Sequence, residues 1–374
     1  MEEKKVSWLE LFFDLIFVTA VSFTTRLFIE IEHHPGQILF YGLEYLLMVF
    51  PMFWLWTGQT MLLNRFSQDI QRPGLVMMPQ MFFFILMTAS LDFNFNHTYH
   101  TYLLGYLGVR ALTAGEYWLA ARRLTGPRAE VAGLLGRLFI PGLIIPLASL
   151  LFEGRDRYLV MYSGIAADMI LPLFFKDRLS LAPVNLPHLT ERFGLFTLIT
   201  FGEALVAVTS LLVGHTADYS ALIFSGLSFL LIAVLWGSYF YGYEKVMDHH
   251  RETNGQALLY GHFFILVAVM LVAADVELLH DGELPRRVLI PLVYGPVILF
   301  LTAKHLVFYH HRKRGQVYYH REAALLIIAL AAALAVNLIF PIPALGSLGL
   351  LIIICGLEAA VQSGAHRKFF TSRR

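Results

Sequence analysis

The stretch WLELFFDLIFV, residues 8–18, constrains this chain more than any other. It sets Glu10 and Asp14 four residues apart, so a helix carries both carboxylates on one face. The residues around them are apolar enough that their expected surroundings are hydrocarbon. A carboxylate in that medium costs on the order of a few kcal/mol, so a chain that keeps one needs either a partner for it or a use for it. A counterpart opens the second half: LTERFGLFTLITFGEALVAV, residues 189–208, with Glu191 and Glu203.

The rest of the chain agrees with a lipid solvent. Of its 374 residues 57% are hydrophobic and 15% charged, whereas about a quarter are charged in soluble domains. A formal net charge of +1 gives no reason to expect a nucleic-acid partner. Cys355 is the single cysteine, which rules out an intrachain disulfide and a thiolate zinc set. The leader MEEKKVS runs straight into the acid-bearing helix without a small-residue cleavage site, so the first helix is expected to stay in the membrane.

Apolar runs of about 17 to 25 residues, bounded by polar, Gly or Pro punctuation, mark about twelve spans. They cover residues 8–28, 37–63, 74–91, 99–121, 130–152 and 158–175, then 188–213, 219–243, 257–279, 288–309, 322–340 and 344–362. Loop charge tests the count independently. One set of loops carries Lys4 and Lys5, Arg65 and Arg72, Arg122, Arg123 and Arg128, Lys176 and Arg178, Lys245 and Arg251, Arg312 to Arg314 and Arg321, and Arg367, Lys368, Arg373 and Arg374. The other set has only Arg26, Arg155, Arg157, Arg286 and Arg287, each offset by nearby acids. Both termini are therefore expected on the cytoplasmic side.

The two halves also resemble each other. Glu10 to Phe12 matches Glu191 to Phe193, Gly58 falls on Gly242, and Asp92 falls on Asp275. LTAGEYWLAARR, starting at Leu112, matches LTAKHLVFYHHR, starting at Leu301, and Asp168 falls near Glu358. The offset drifts only from about 181 to 190, as two diverged copies with small loop changes would give. An even number of spans in each copy predicts parallel insertion about an axis along the membrane normal. The expected fold is thus an all-helical polytopic bundle of two tandem six-helix repeats, residues 1–180 and 181–374.

Rise per residue converts position into depth. Glu10 and Glu191 fall at the cytoplasmic edge, Asp14 roughly 10 Å in, Glu203 about 18 Å in, and Asp168 near the centre. Glu44 lies in the outer third, and Glu116, Arg110 and His262 within the membrane. Acids outnumber bases in this set, so Asp14, Glu203 and Asp168 are expected to bind protons or cations, with Glu10, Glu191, Arg110, Glu44 and Glu116 as gate or ion-pair residues.

Structural roles compete for several of these. Ser7 and Glu10 have capping-box spacing, and Glu191, Arg192 and His188 suit a local ion cluster at a helix start. Asp275 and Glu277 are expected to be solvated, and Lys304, His305 and Arg137 to snorkel to the cytoplasmic face. Small residues at 163–167 and 200–204 would let helices approach closely around Asp168 and Glu203. Prolines 51, 79, 141, 146, 172, 291 and 296 interrupt spans at depth, where a freed carbonyl serves a hinge or a ligand. The adjacent histidine pairs lack metal-ligand spacing, and no nucleophile elbow, Walker loop or dinucleotide fingerprint occurs. No cofactor and no enzyme activity are therefore expected.

WLELFFDLIFV and LTERFGLFTLITFGEALVAV closely resemble the low temperature requirement protein A (LtrA) family of bacterial membrane proteins, over essentially the whole chain. The resemblance implies a multi-pass protein of the bacterial cytoplasmic membrane; the family name itself records growth in the cold. Phe13 and Asp14 ahead of an apolar run are also distantly similar to the pore helices of lysosomal and bacterial potassium channels with two six-helix repeats, although Leu195 replaces Asp14 in the second copy. The expected function is proton-coupled secondary transport of an unknown small solute. A cation channel, for which a homodimer would matter, is the alternative, and a membrane-embedded enzyme or lipid-binding protein the third.

Overall fold

The computed structural model describes residues 4–70, 72–92, 95–313 and 320–364. Arg314, Arg367, Lys368, Arg373 and Arg374, counted in the loop-charge pattern, lie outside them. All twelve apolar stretches are helical. In the first half α1 spans Trp8–Ile29, α2 Ile38–Phe66, α3 Pro73–Ala89 and α4 Phe95–Arg123. The fifth stretch is broken into α5, Gly126–Leu138, and α6, Pro141–Ala148. Then come α7, Gly154–Phe174, and the single turn α8, Lys176–Leu179. The second half has α9 Leu186–Leu212, α10 Tyr219–Tyr241, α11 Gln256–Asp281, α12 Arg286–His310, α13 His320–Ile339 and α14 Ala344–Gln362.

Among the described residues, nine helical stretches are long and apolar enough to cross a membrane, not twelve: α1, α2, α5 with α6, and α9 to α14. The three left out have identifiable reasons. Helix α3 is only 17 residues long. Helices α4 and α7 dilute their apolar runs with Arg110, Glu116 and Asp168. Those two depend on their neighbours to cover the charge.

The chain forms two compact units: Met1–Thr24 with Leu43–Arg192 and His250–Gln256, and Thr25–Gly42 with Phe193–His249 and Ala257–Arg374. In the first unit α3 lies along α4, α4 against α5, and α6 against α7. In the second, α10 packs on α14, and α13 on both α12 and α14. Both units bury a set of polar and charged groups within a largely apolar core, and leave many other large apolar side chains exposed. Asp14, Gln80, Arg110, Asp168 and Arg192 are buried in the first while Leu75, Leu151 and Phe174 are exposed. Lys304, Glu358 and His262 are buried in the second while Leu306 and Ile339 are exposed. The exposed apolar surface suits lipid, which offers exposed side chains no polar partners.

The α5–α6 break positions charge. Pro141 has no amide hydrogen to continue the helix from α5, and Gly142 brings the backbone of α6 up to Asp168 of α7. A Cβ at Gly142 would lie 2.6 Å from the Asp168 Cγ. The close approach expected around Asp168 is also present at Gly164, where a Cβ would collide with Pro146. Around Glu203 it is absent: a Cβ at Gly202 would meet nothing within 4 Å.

Candidate functional site

Helix α1 opens with a formed capping box. The Ser7 amide and hydroxyl each donate to Oε2 of Glu10 at 2.8 Å, and the Glu10 amide donates back to the Ser7 Oγ at 3.3 Å. The cap occupies one carboxylate oxygen only. The other, Oε1, lies 3.1 Å from Nε2 of His188 and 3.1 Å from Nη1 of Arg192. One helical turn further on, Oδ1 of Asp14 accepts from Nη2 of Arg192 at 2.5 Å and from the Trp56 indole at 2.7 Å. The Arg192 guanidinium also sits 5.5 Å from the centre of the Trp56 ring. Glu10, Asp14, His188 and Arg192 are all buried.

The hydrogen bonds around His188 fix its protonation. The Asn185 amide donates to Oδ1 of Asn64 at 2.9 Å, which turns the Asn64 amino group toward the Asn185 carbonyl, 2.8 Å away, and Nδ1 of His188, 3.0 Å away. Nδ1 is thus an acceptor, and the ring is neutral with its proton on Nε2, facing Glu10. Two carboxylates then face one guanidinium in the buried part of this network. Lys4, half-buried at its edge, donates to the Leu63 carbonyl at 2.5 Å, and burial pulls its ammonium down to about 8.

A second buried pair lies in the same unit. Nη2 of Arg110 on α4 is 2.7 Å from Oδ2 of Asp168 on α7, and the Trp54 indole donates to that oxygen at 3.0 Å. The guanidinium lies 4.6 Å over the Phe139 ring. Gly58 makes room for it, since a Cβ there would be 2.8 Å from Nη1. Trp54 and Trp56 are two residues apart, about 200° around a helix, so α2 serves Asp168 from one side and Asp14 from the other. Between α2, α3 and α4, Gln80 donates to Gln59 at 2.9 Å and to Thr113 at 3.1 Å.

The second unit holds a third group. Nζ of Lys304 on α12 reaches both oxygens of Glu358 on α14, at 2.9 and 2.8 Å. Ser238 of α10 donates to Oε2 of Glu358 at 2.7 Å and accepts from Lys304. His262, expected at depth, is buried here. Its Nδ1 faces the Leu258 carbonyl at 2.8 Å, and its Nε2 meets the Tyr239 hydroxyl at 2.8 Å.

Of the residues singled out by sequence, Glu10 and Asp14 come together, and Asp168 meets Arg110. Glu203 is half-buried on α9, without a hydrogen bond or ion pair among the described residues. Glu191 is half-buried and, among the described residues, accepts a long contact, 3.4 Å, from the Val6 amide. Glu44 is half-buried on α2, and Glu116 is buried on α4. Three expectations are corrected. Arg192 and His188 serve Glu10 and Asp14 rather than a cluster with Glu191, so the supposed surplus of acid is much reduced. Lys304 is buried against Glu358 instead of snorkelling. Asp275, expected to be solvated, is buried, and neither of its oxygens is hydrogen-bonded among the described residues. Also among those residues, no three His, Cys, Asp or Glu side chains are grouped to hold a metal ion.

The profile of the Bacterial low temperature requirement A protein (LtrA) family matches residues 5–360. The chain belongs to the LtrA family. Like the rest of that family it is a multi-pass membrane protein, and the two acid-bearing motifs that suggested the resemblance both fall inside the matched region. An uncharacterized protein of Rhizobium meliloti (strain 1021) is 25% identical to this LtrA-family chain over 332 residues, 80% of this chain and 76% of that one. No solved structure matches it.

Proposed function

We propose that this LtrA-family protein is a proton-coupled secondary carrier of a small solute, built as two parallel six-helix repeats, residues 1–180 and 181–374. Both termini are on the cytoplasmic side of the bacterial cytoplasmic membrane. No catalytic role is part of the proposal, and the partners are lipid, a proton or small cation, and the solute.

The observation that carries the proposal is the buried network of Glu10, Asp14, Arg192 and neutral His188. A buried ion pair is replaceable by apolar side chains at little or no cost in stability, so stability alone does not account for its presence. The network contains two acids for one arginine. In a low-dielectric interior the remaining negative charge calls for one further positive charge: a proton on a carboxyl, a visiting cation, or Lys4 at the edge. A group that neutralises by gaining one proton, and loses its hold on Arg192 when it does, has the chemistry that coupling requires.

The test is flux through purified protein in sealed vesicles, using a panel of cations and small solutes with and without a proton gradient. Saturable, gradient-dependent uptake is expected, with Asp14→Asn reducing it at least tenfold. Uptake unchanged in Asp14→Asn and in Asp168→Asn would remove the proposal. Discrete conductance steps in a planar bilayer would replace it with a cation channel, a reading favoured by Glu203, half-buried and without a partner among the described residues, beside the open space at Gly202.

A further inference from the structure

The two halves each hold a buried acid, a base and a hydrogen-bond donor, and the correspondence follows the internal repeat. The offset that superposes Gly58 on Gly242 carries Trp54 onto Ser238, and Asp168 corresponds to Glu358. The donor and the acid thus keep their places. The base does not: in the matched stretches starting at Leu112 and Leu301, Lys304 stands where the first half has Gly115, while Arg110 falls on Leu299. A cation moved along its helix but still paired to the same acid points to a retained pairing with altered chemistry.

The alteration decides what each group can do. Arginine stays charged in proteins and an indole N–H only donates, so Trp54, Arg110 and Asp168 cannot pass a proton among themselves. Lysine can lose its proton, and a hydroxyl both accepts and donates. Lys304 donates to Ser238, and Ser238 donates to Glu358 at 2.7 Å. A proton leaving Nζ for the Ser238 oxygen, as the Ser238 proton moves to Oε2, leaves a neutral amine and a carboxylic acid with no net change in charge. A proton arriving from outside leaves the acid beside an ammonium.

We propose that Glu358, with Ser238 and Lys304, is the proton-exchanging site of the second half, and that Asp168 with Arg110 is its fixed counterpart. Among the described residues, His305 of α12 and the Cys355 thiol of α14 also lie in electrostatic reach of Glu358. From α10 the Ser238 hydroxyl reaches it, and the buried residues of α13 are Ala323, Leu330 and Asn337, none ionisable. The purpose of the site rests on the carrier proposal; its titration does not.

The experiment is infrared titration of the full-length protein in bilayers, read as wild type minus variant so that exposed acids cancel. The expected result is a carboxylic-acid band of one group's amplitude that grows on acidification, is lost in Glu358→Gln and persists in Asp168→Asn. Lys304→Arg, which fixes the neighbouring charge, should move the band to lower pH. If Glu358→Gln does not fold, Lys304→Met with Glu358→Gln removes both charges and gives the same reading. A band unchanged in the Glu358 variants, or lost in Asp168→Asn, overturns the assignment. Titration without solute flux would sink only the carrier, and flux without titration only this site.

Discussion

Arg110 and Asp168 show what a single charge is worth inside this protein. Arg110→Met leaves a buried carboxylate with the Trp54 indole as its hydrogen-bond donor among the described residues, and breaking a buried pair from one side typically costs about 3–5 kcal/mol. Thermal unfolding in lipid nanodiscs should record that loss, and Arg110→Met with Asp168→Leu should regain most of it. A single variant as stable as wild type would mean that the pair is hydrated. The burial of Asp14 and Asp168 was legible in the sequence because an acid inside an apolar run has few places to go but between helices. Arg192 was not, because Glu191 and His188 offered it local partners, whereas its actual partner Asp14 is 178 residues away. Lys304 was missed for a related reason. A long side chain near a span's end can always be imagined reaching water, and only the placement of α10 and α14 shows that it does not.

At the level of the helix, length and apolar content located every long helix, since a run of that composition has no other way to satisfy its backbone in lipid. They did not reveal which helices need protection, because depth along a helix says nothing of what packs around it. The prolines at 141 and 146 marked the fifth stretch as irregular, and the break at 139–140 is where that irregularity serves Asp168. Gly142→Ala puts a methyl against the Asp168 carboxyl and should destabilise by about 1–3 kcal/mol, as overpacking does. Gly115→Ala is the control, with nothing within 4 Å of the added carbon. Equal melting temperatures for the two variants would show that α6 gives way freely.

Across the whole molecule, each compact unit holds one buried acid–base group, Asp168 with Arg110 and Glu358 with Lys304, and the parallel repeat proposed above makes a prediction of its own. The proposed six spans per copy would put both ends of the chain on one side. Lys5→Cys and Gly364→Cys should therefore react with a membrane-impermeant maleimide to the same extent, and only once cells are opened; native Cys355 is buried and silent. Labelling of either one in intact cells would break the parallel arrangement. The indoles on α2 carry a consequence for optics. Of five tryptophans, Trp8, Trp118 and Trp236 are exposed, whereas Trp54 and Trp56 are buried with their N–H groups pinned to carboxylates. Brominated acyl chains would darken the outer three and leave a paired emission in which Trp56 follows the charge on Asp14 and Trp54, beside the fixed Asp168, serves as its reference, a gauge the protein carries without any added dye.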